Sequence, residues 1–269
     1  MTLISNPANP TIKAYRALRQ RKARAQSGLF LIEGIRLVAE AVQVGAPLEA
    51  LIYAPELLSS PFAHQVVAQA RERGVRLLQV SAAVFESLSD KDNPTGLAAV
   101  ARQQWLSLAQ VTFAPEQLCW IALDAPQDPG NIGTILRTGD AVGAAGAILL
   151  GNAADPYDPQ GVRASMGAVF SQKLARASYA DFLAWRARCG ARLIGTSDAA
   201  QTDYRAADYT KPLILLMGSE REGLPEPLKA ACDVMVRLPM RGRCDSLNVA
   251  VACGVLLYTI LSAQPEERL

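Results

Sequence analysis

The chain has 269 residues, half of them apolar and only 6% aromatic, with 27 Lys/Arg against 25 Asp/Glu. That balance supplies a full hydrophobic core, suits an α/β protein, and excludes disordered, collagen-like and disulfide-dense classes. The charge is uneven: residues 1–105 carry 12 Lys/Arg against 8 Asp/Glu, and residues 106–269 carry 15 against 17.

In the first third, Asn9-Pro10 marks a helix start, and Ile12, Tyr15, Leu18 and Arg19 follow at helical spacing. Lys13, Arg16, Arg19, Arg21, Lys22 and Arg24 form a basic run with no acid among them. Leu29–Ile32 reads as a strand, Ile35–Val44 as a helix stopped by Gly45, and Leu51–Tyr53 as a short strand. A helix over His64–Arg73 ends at Gly74, Val75–Val80 is a strand, Ser81 caps a short helix, and Leu97–Ala101 is the last strand. The alternation then breaks between Arg102 and Gln117, a stretch containing Pro115. The expected division is therefore a first domain over 1–105, a linker over 106–117 and a second domain over 118–269.

In the second domain Leu118–Leu123 is a buried strand, Ile132–Val142 a helix and Ala147–Leu150 a strand. Helices follow at Asp158–Met166 and Tyr179–Cys189, and strands at Arg192–Thr196, Leu213–Met217 and Val234–Leu238. Asn248–Leu261 is a long apolar helix. Apolar strands alternating with helices imply a parallel sheet covered on both faces, with ligands at the carboxyl ends of its strands.

Several function classes are weakened at once. The only histidine is His64, on a surface helix, which removes histidine-base chemistry such as Ser-His-Asp hydrolysis. The five cysteines form no CxxC pair, so a zinc site is not expected, and their odd number fits unpaired thiols in a reducing compartment. Met1–Pro10 lacks the apolar core of a signal peptide, and Val249–Leu261 is shorter than the roughly 20 residues of a membrane helix. A soluble, cytoplasmic protein is expected. The run from Gly139 to Gly146 follows a helix and precedes a strand, the reverse of the order a dinucleotide loop requires.

Three loops at strand ends are rich in glycine and polar residues. The first is Asp128-Pro129-Gly130-Asn131-Ile132-Gly133, leading to Arg137; Asn131 is a candidate helix cap, and a helix start with an arginine makes an anion site. The second, Gly218-Ser219-Glu220-Arg221-Glu222-Gly223-Leu224-Pro225, follows an apolar strand, and its glycines permit sharp turns and close approach to a ligand. The third runs from Leu238 to Asn248 through Met240, Ser246 and Leu247, with Ser246 or Asn248 as cap of the final helix.

Together these loops, in order and spacing from Asp128 to Tyr258, resemble the three motifs of the SpoU/TrmH-type RNA 2′-O-ribose methyltransferases of the SPOUT superfamily. The segments Asn9–Lys13, Arg21–Arg24 and Gly28–Gly34 resemble the start of that family's L30e-like substrate-binding domain, and Asp92–Val100 its last strand. The resemblance implies an α/β catalytic domain with a parallel sheet and a trefoil knot, preceded by a smaller L30e-like α/β domain. It implies S-adenosylmethionine (SAM) as methyl donor, a structured RNA as substrate, no metal, and a homodimer through the knot region. Asn131, Arg137, Glu220, Ser246 and Asn248 match the family's catalytic positions. Gly218, Ser219, Glu220, Gly223, Leu238, Met240, Ser246, Leu247 and Asn248 match its donor-binding positions. Arg221 departs from the pattern, which commonly has Gly after the Glu.

Lys13, Arg16, Arg21, Lys22, Arg24 and Arg137 are the expected RNA contacts. Two-domain relatives favour 23S rRNA as the substrate, with tRNA and a non-catalytic RNA-binding role as alternatives. Each feature also has a plain structural reading: caps for Asn131, Ser246 and Asn248, and a solvated helix face for the basic run. The functional reading rests on the motifs occurring together.

Overall fold

The structure is a computed structural model, and it describes residues 3–219 and 222–265. The chain forms two compact units, Met1–Gln103 with Tyr157–Phe170, and Gln104–Pro156 with Ser171–Leu269.

The first unit holds α1 (Pro10–Ala17), α2 (Arg21–Ser27), β1 (Leu29–Glu33), α3 (Ile35–Gln43), β2 (Leu48–Tyr53), α4 (Pro61–Glu72), β3 (Leu77–Gln79), α5 (Ala82–Leu88) and β4 (Leu97–Arg102). Its sheet runs β1-β4-β2-β3, with β4 antiparallel to both neighbours and β2 parallel to β3. Asn9 starts α1 by accepting from the Thr11 and Ile12 amides, with Pro10 in the first turn. Ile12, Tyr15 and Leu18 then pack against Val84, Phe85 and Leu88.

The basic run is two helices, broken after α1, and not one continuous face. Gly28 ends α2 at φ +66°. From α2, Arg24 turns inward and is only 1% exposed. Its guanidinium donates to the Leu18 and Arg19 carbonyls, both at 2.9 Å, and to Asp158 Oδ2 at 2.8 Å.

Asp158 lies in the segment Tyr157–Phe170, which belongs to the first unit although it follows strands of the second in the chain. Asp158 caps α7 (Pro159–Ser165) by accepting from the Gln160 amide with Oδ1, while Oδ2 holds Arg24. Phe30 of β1 packs on Tyr157 with ring centroids 4.6 Å apart. Sequence reading gave this segment to the second domain; aromatic packing and the ion pair tie it to the first.

The second unit holds β5 (Trp120–Asp124), α6 (Pro129–Ala141), β6 (Gly146–Leu150), β7 (Lys173–Ala177), α8 (Tyr179–Cys189), β8 (Arg192–Thr196), β9 (Thr202–Asp203), β10 (Leu213–Met217), α9 (Glu226–Ala230), β11 (Val234–Arg237) and α10 (Val249–Ser262). Its seven strands are all parallel, in the order β7-β6-β5-β10-β8-β11-β9. Every residue of β5, β6 and β10 is buried, as central parallel strands require. The chain order reverses where β10 inserts between β5 and β8, the position at which such sheets open a ligand crevice.

The expected linker is part of this unit. Val111 is buried, Phe113 stacks on Trp185, the Trp120 indole donates to the Thr112 carbonyl at 2.8 Å, and the Leu106 amide donates to Leu174. Strands β7 and β9 and helix α9 are additions to the sequence reading. Among the described residues no helix is long and apolar enough to cross a membrane.

Candidate active site

The loops leaving β10 and β11 meet in one cavity of about 560 Å³, closed on a third side by the loop after β8. That volume lies in the usual range of small-molecule sites, about 300–1,000 Å³. Gly218, Ser219, Gly223, Leu238, Met240, Ser246 and Leu247 line it. Glu220 and its neighbour Arg221 lie outside the described residues.

The local backbone explains the residue types of the second loop. Ser219 and Gly223 exchange N–H···O=C hydrogen bonds at 3.2 Å, closing a tight turn. Gly223 sits at φ +67°, a conformation L side chains rarely adopt. A Cβ on Gly218 would lie 2.8 Å from the Gly223 carbonyl carbon, so that position has no room for a side chain. The Ser219 hydroxyl donates to the Gly223 carbonyl and accepts from the Glu222 amide. Thr196, at the end of β8, anchors the same loop: its hydroxyl donates to the Leu216 carbonyl and accepts from the Gly218 amide.

The first and third loops are joined by side chains. Asn248 caps α10, its Oδ1 accepting from the Ala250 amide at 2.9 Å and the Val251 amide at 3.3 Å. Its Nδ2 donates to Asn131 Oδ1 at 3.0 Å. One amide thus starts the last helix and fixes a residue 117 positions earlier. Asn248 itself is not part of the cavity lining.

Asn131 is not a helix cap. Helix α6 begins at Pro129, and Asp128 caps it by accepting from the Gly130 amide at 2.7 Å. Asn131 therefore sits inside the first turn, where its side chain is released to meet Asn248.

Arg137 lies further along α6, exposed to solvent and outside the cavity lining. Among the described residues it has no hydrogen-bond or ion-pair partner. It does not reach back to the loop as expected; it stands as an exposed guanidinium on the helix that carries Asn131.

The predicted RNA contacts divide. Lys13, Arg21 and Lys22 are exposed. Arg16 is half-buried and donates to the Pro7 carbonyl and the Ser87 hydroxyl. Arg24 is the buried structural residue already described, and a guanidinium engaged on three protein oxygens has no donor face for a phosphate.

Three features of the site were not anticipated. The β8 loop, Thr196 to Ala199, forms a cavity wall without any Gly-rich signature. Lys229 of α9 lines the cavity together with the carboxylates Asp198, Glu222 and Asp245. Asp124, at the end of β5, is buried with its carboxyl held by Tyr179. Burial pushes the Asp124 carboxyl above its ordinary value, against the opposing hydrogen bonds from Tyr179 and the Ser219 backbone. The hydrogen bond to Asp124 raises the Tyr179 phenol to about 12. Among the described residues no group of three or more His, Cys, Asp or Glu is placed to hold a metal ion.

Two family models match the chain: the SpoU rRNA Methylase family over residues 119–258, and the MRM3-like substrate binding domain over residues 9–99. A 23S rRNA (uridine(2479)-2′-O)-methyltransferase of Streptomyces viridochromogenes is 35% identical over 90% of this chain and 85% of its own length. The 23S rRNA (guanosine(2553)-2′-O)-methyltransferase RlmP of Bacillus subtilis (strain 168) is 28% identical over 96% of this chain and 98% of its own. The crystal structure of an AdoMet-bound rRNA methyltransferase from Sinorhizobium meliloti superposes with a TM-score of 0.87, at 38% identity, covering 96% of this chain and 97% of that one. The chain belongs to the SpoU rRNA methylase family, of SpoU/TrmH type, with an MRM3-like substrate-binding domain ahead of its methylase domain.

Proposed function

We propose that this protein methylates a ribose 2′-hydroxyl of 23S rRNA, using SAM as donor and acting in the cytoplasm where ribosomes are made. The observation that carries the reading is the Asn131–Asn248 hydrogen bond, which ties the first motif to the third beside a cavity walled by the second and third. The cavity fits the donor chemically: Leu224, Leu238 and Leu256 offer apolar surface, the loops offer backbone groups, and among the described residues Asp198, Glu222 and Asp245 against Lys229 suit a cationic ligand. When bound, SAM supplies a methyl group already activated by its sulfonium.

The residues of this chain do the rest. Gly218 and Gly223 let backbone approach the donor, and Leu238, Met240, Ser246 and Leu247 enclose it. Asn131, fixed by Asn248, and Arg137 bind the RNA backbone at the target ribose. A guanidinium's planar fork of donors suits a phosphate and a hydroxyl together, so Arg137 orients the 2′-oxygen and stabilises charge that develops on it. Such alignment lowers a barrier by up to roughly 7–11 kcal/mol. Glu220 is assigned to the same site by its position in the motif.

Residues 1–105 supply RNA contacts through Lys13, Arg21 and Lys22, and residues 118–269 carry the chemistry. The trefoil knot expected of the family is assigned to the chain that leaves β10 and β11, a reading supported by the cavity those segments share. A homodimer is supported by α10, where Val251, Val255 and Tyr258 leave an apolar stripe exposed at i, i+4 and i+7, with Leu247 and Met240 exposed nearby.

The test is transfer of labelled methyl from SAM to deproteinised 23S rRNA, followed by mapping of the 2′-O-methylated nucleotide. Arg137→Ala is expected to abolish transfer and leave SAM affinity within about two-fold, since Arg137 stands outside the cavity. Methylation of tRNA alone, or SAM-independent RNA binding without transfer, overturns the assignment.

A further inference from the structure

Four neighbouring strands of the second unit, β7, β6, β5 and β10, end at the same edge of the sheet. Polar groups link these ends. Tyr179, two residues after β7, donates its hydroxyl to Asp124 Oδ1 at 2.6 Å. It passes over Gly151, just after β6, where a Cβ would stand 2.8 Å from the tyrosine oxygen. Asp124 closes β5 and is 4% exposed, and it stands one position beyond the Leu123–Met217 pair of the parallel β5–β10 ladder, beside Gly218. The residue after Asp124, Ala125, is held at φ +40°, a strained conformation for a residue with a side chain. Its amide donates to the Leu150 carbonyl at 3.0 Å, and its carbonyl accepts from Gln127 at 2.6 Å. A buried acid beside a strained residue, between the loop that carries Asn131 and the loop that carries Gly218, is costly unless it acts.

We propose that Asp124 and Tyr179 are positioning residues for the methyl donor: together they fix the end of β10 at Gly218 and Ser219, and so that part of the donor cavity wall, without touching the donor. The inference rests on the reading of that cavity as the SAM site. Asp124 does not line the cavity, and neither does Tyr179. Their reach is through the β5–β10 ladder, whose Met217 end and the following Gly218 and Ser219 do. Gly151 is the third member, because its missing side chain leaves the path along which the tyrosine reaches Asp124.

The experiment is calorimetric titration of SAM into the full chain and its Tyr179→Phe, Asp124→Asn and double variants, with RNA affinity and thermal unfolding measured in parallel. Tyr179→Phe keeps the ring and removes one hydrogen bond; Asp124→Asn keeps shape and removes the buried charge. Each is expected to weaken SAM on the order of 10-fold, the size of one lost charge-assisted hydrogen bond, and to leave RNA affinity unchanged. The double variant is expected to bind no more weakly than the worse single, as partners in one contact do. The unfolding midpoint of Asp124→Asn without SAM is expected to match or exceed wild type, because a buried charge has gone while the donor is still bound more weakly. Lower midpoints with unchanged SAM affinity in both singles would mark a purely structural pair and overturn the proposal. So would multiplicative losses in the double variant. Wild-type chain that binds no SAM removes the functional reading and this inference with it, whereas normal wild-type binding with unaffected variants removes the inference alone. Should Asp124→Asn fail to fold, Tyr179→Phe decides.

Discussion

Replacing Arg24 by methionine separates structure from RNA binding within a run of basic residues that looks uniform in sequence. Methionine keeps the unbranched stem and removes the guanidinium, leaving the Leu18 and Arg19 carbonyls and Asp158 Oδ2 without their donor. Breaking a fully buried ion pair costs about 3–5 kcal/mol. Asp158 is 30% exposed, so water recovers part of that, and about 2–4 kcal/mol remains. For a unit of this size about 3 kcal/mol lowers the unfolding midpoint by roughly 12 °C. Circular dichroism melts give the midpoint, and fluorescence anisotropy of an rRNA fragment across a salt series gives the RNA term. Arg24→Met is expected to melt early and keep the wild-type salt slope. Lys22→Ala, at an exposed position, is expected to hold stability within about 0.5 kcal/mol and to reduce the slope by about one. An Arg24→Met protein with wild-type stability and a shallower slope would refute the reasoning.

Three other outcomes follow from the geometry. Asn248→Ala removes two cap bonds from α10 and the link to Asn131, and is expected to cost about 1–2 kcal/mol in urea unfolding while Asn131→Ala, which keeps the cap, costs less. Tyr258→Glu places a charge on the exposed stripe of α10 and is expected to halve the sedimentation mass at micromolar concentration with the monomer still folded. Burial raises the Asp124 carboxyl above its unfolded value, so the folded chain holds that proton more tightly; the stability this gives at low pH is lost as pH rises above about 4 and through the raised value. Urea midpoints of wild type and Asp124→Asn compared across that range are expected to diverge, the wild type falling relative to the variant.

The sequence exposed the centre of the second unit more clearly than its edges. Strands Arg192–Thr196 and Leu213–Met217 and helix Tyr179–Cys189 have the bounds their apolar and capping patterns imply. Strand β7 was not legible because Lys173-Leu-Ala-Arg-Ala offers two charges, no β-branched residue and an edge position. Strand β9 and helix α9, of two and five residues, are too short to show a period. Pro129 pointed to Asp128 as the cap, since proline belongs in the first turn; Asn131 drew that role by composition alone. The cavity residues of the second and third loops were legible because glycine and motif order mark them. The β8 wall and the Asp124–Tyr179 pair were not, because ordinary residues acquire those roles only when distant strand ends meet. Arg24 shows the same limit, its partner lying 134 positions away.

The insertion of β10 has a consequence for how the protein comes to life. Strands β5 to β7 form one half-sheet and β8, β11 and β9 another, and β10 alone joins them. Neither half neighbours the other except through that strand, and its pairing with β5 joins residues far apart in the chain, which slows closure. The donor-binding loops hang from β8, β10 and β11, so an assembly intermediate lacking that central strand lacks one wall of the donor cavity. Ligand binding in a refolding experiment therefore reports the insertion of β10, and any agent that traps the halves apart leaves a chain rich in secondary structure yet chemically silent.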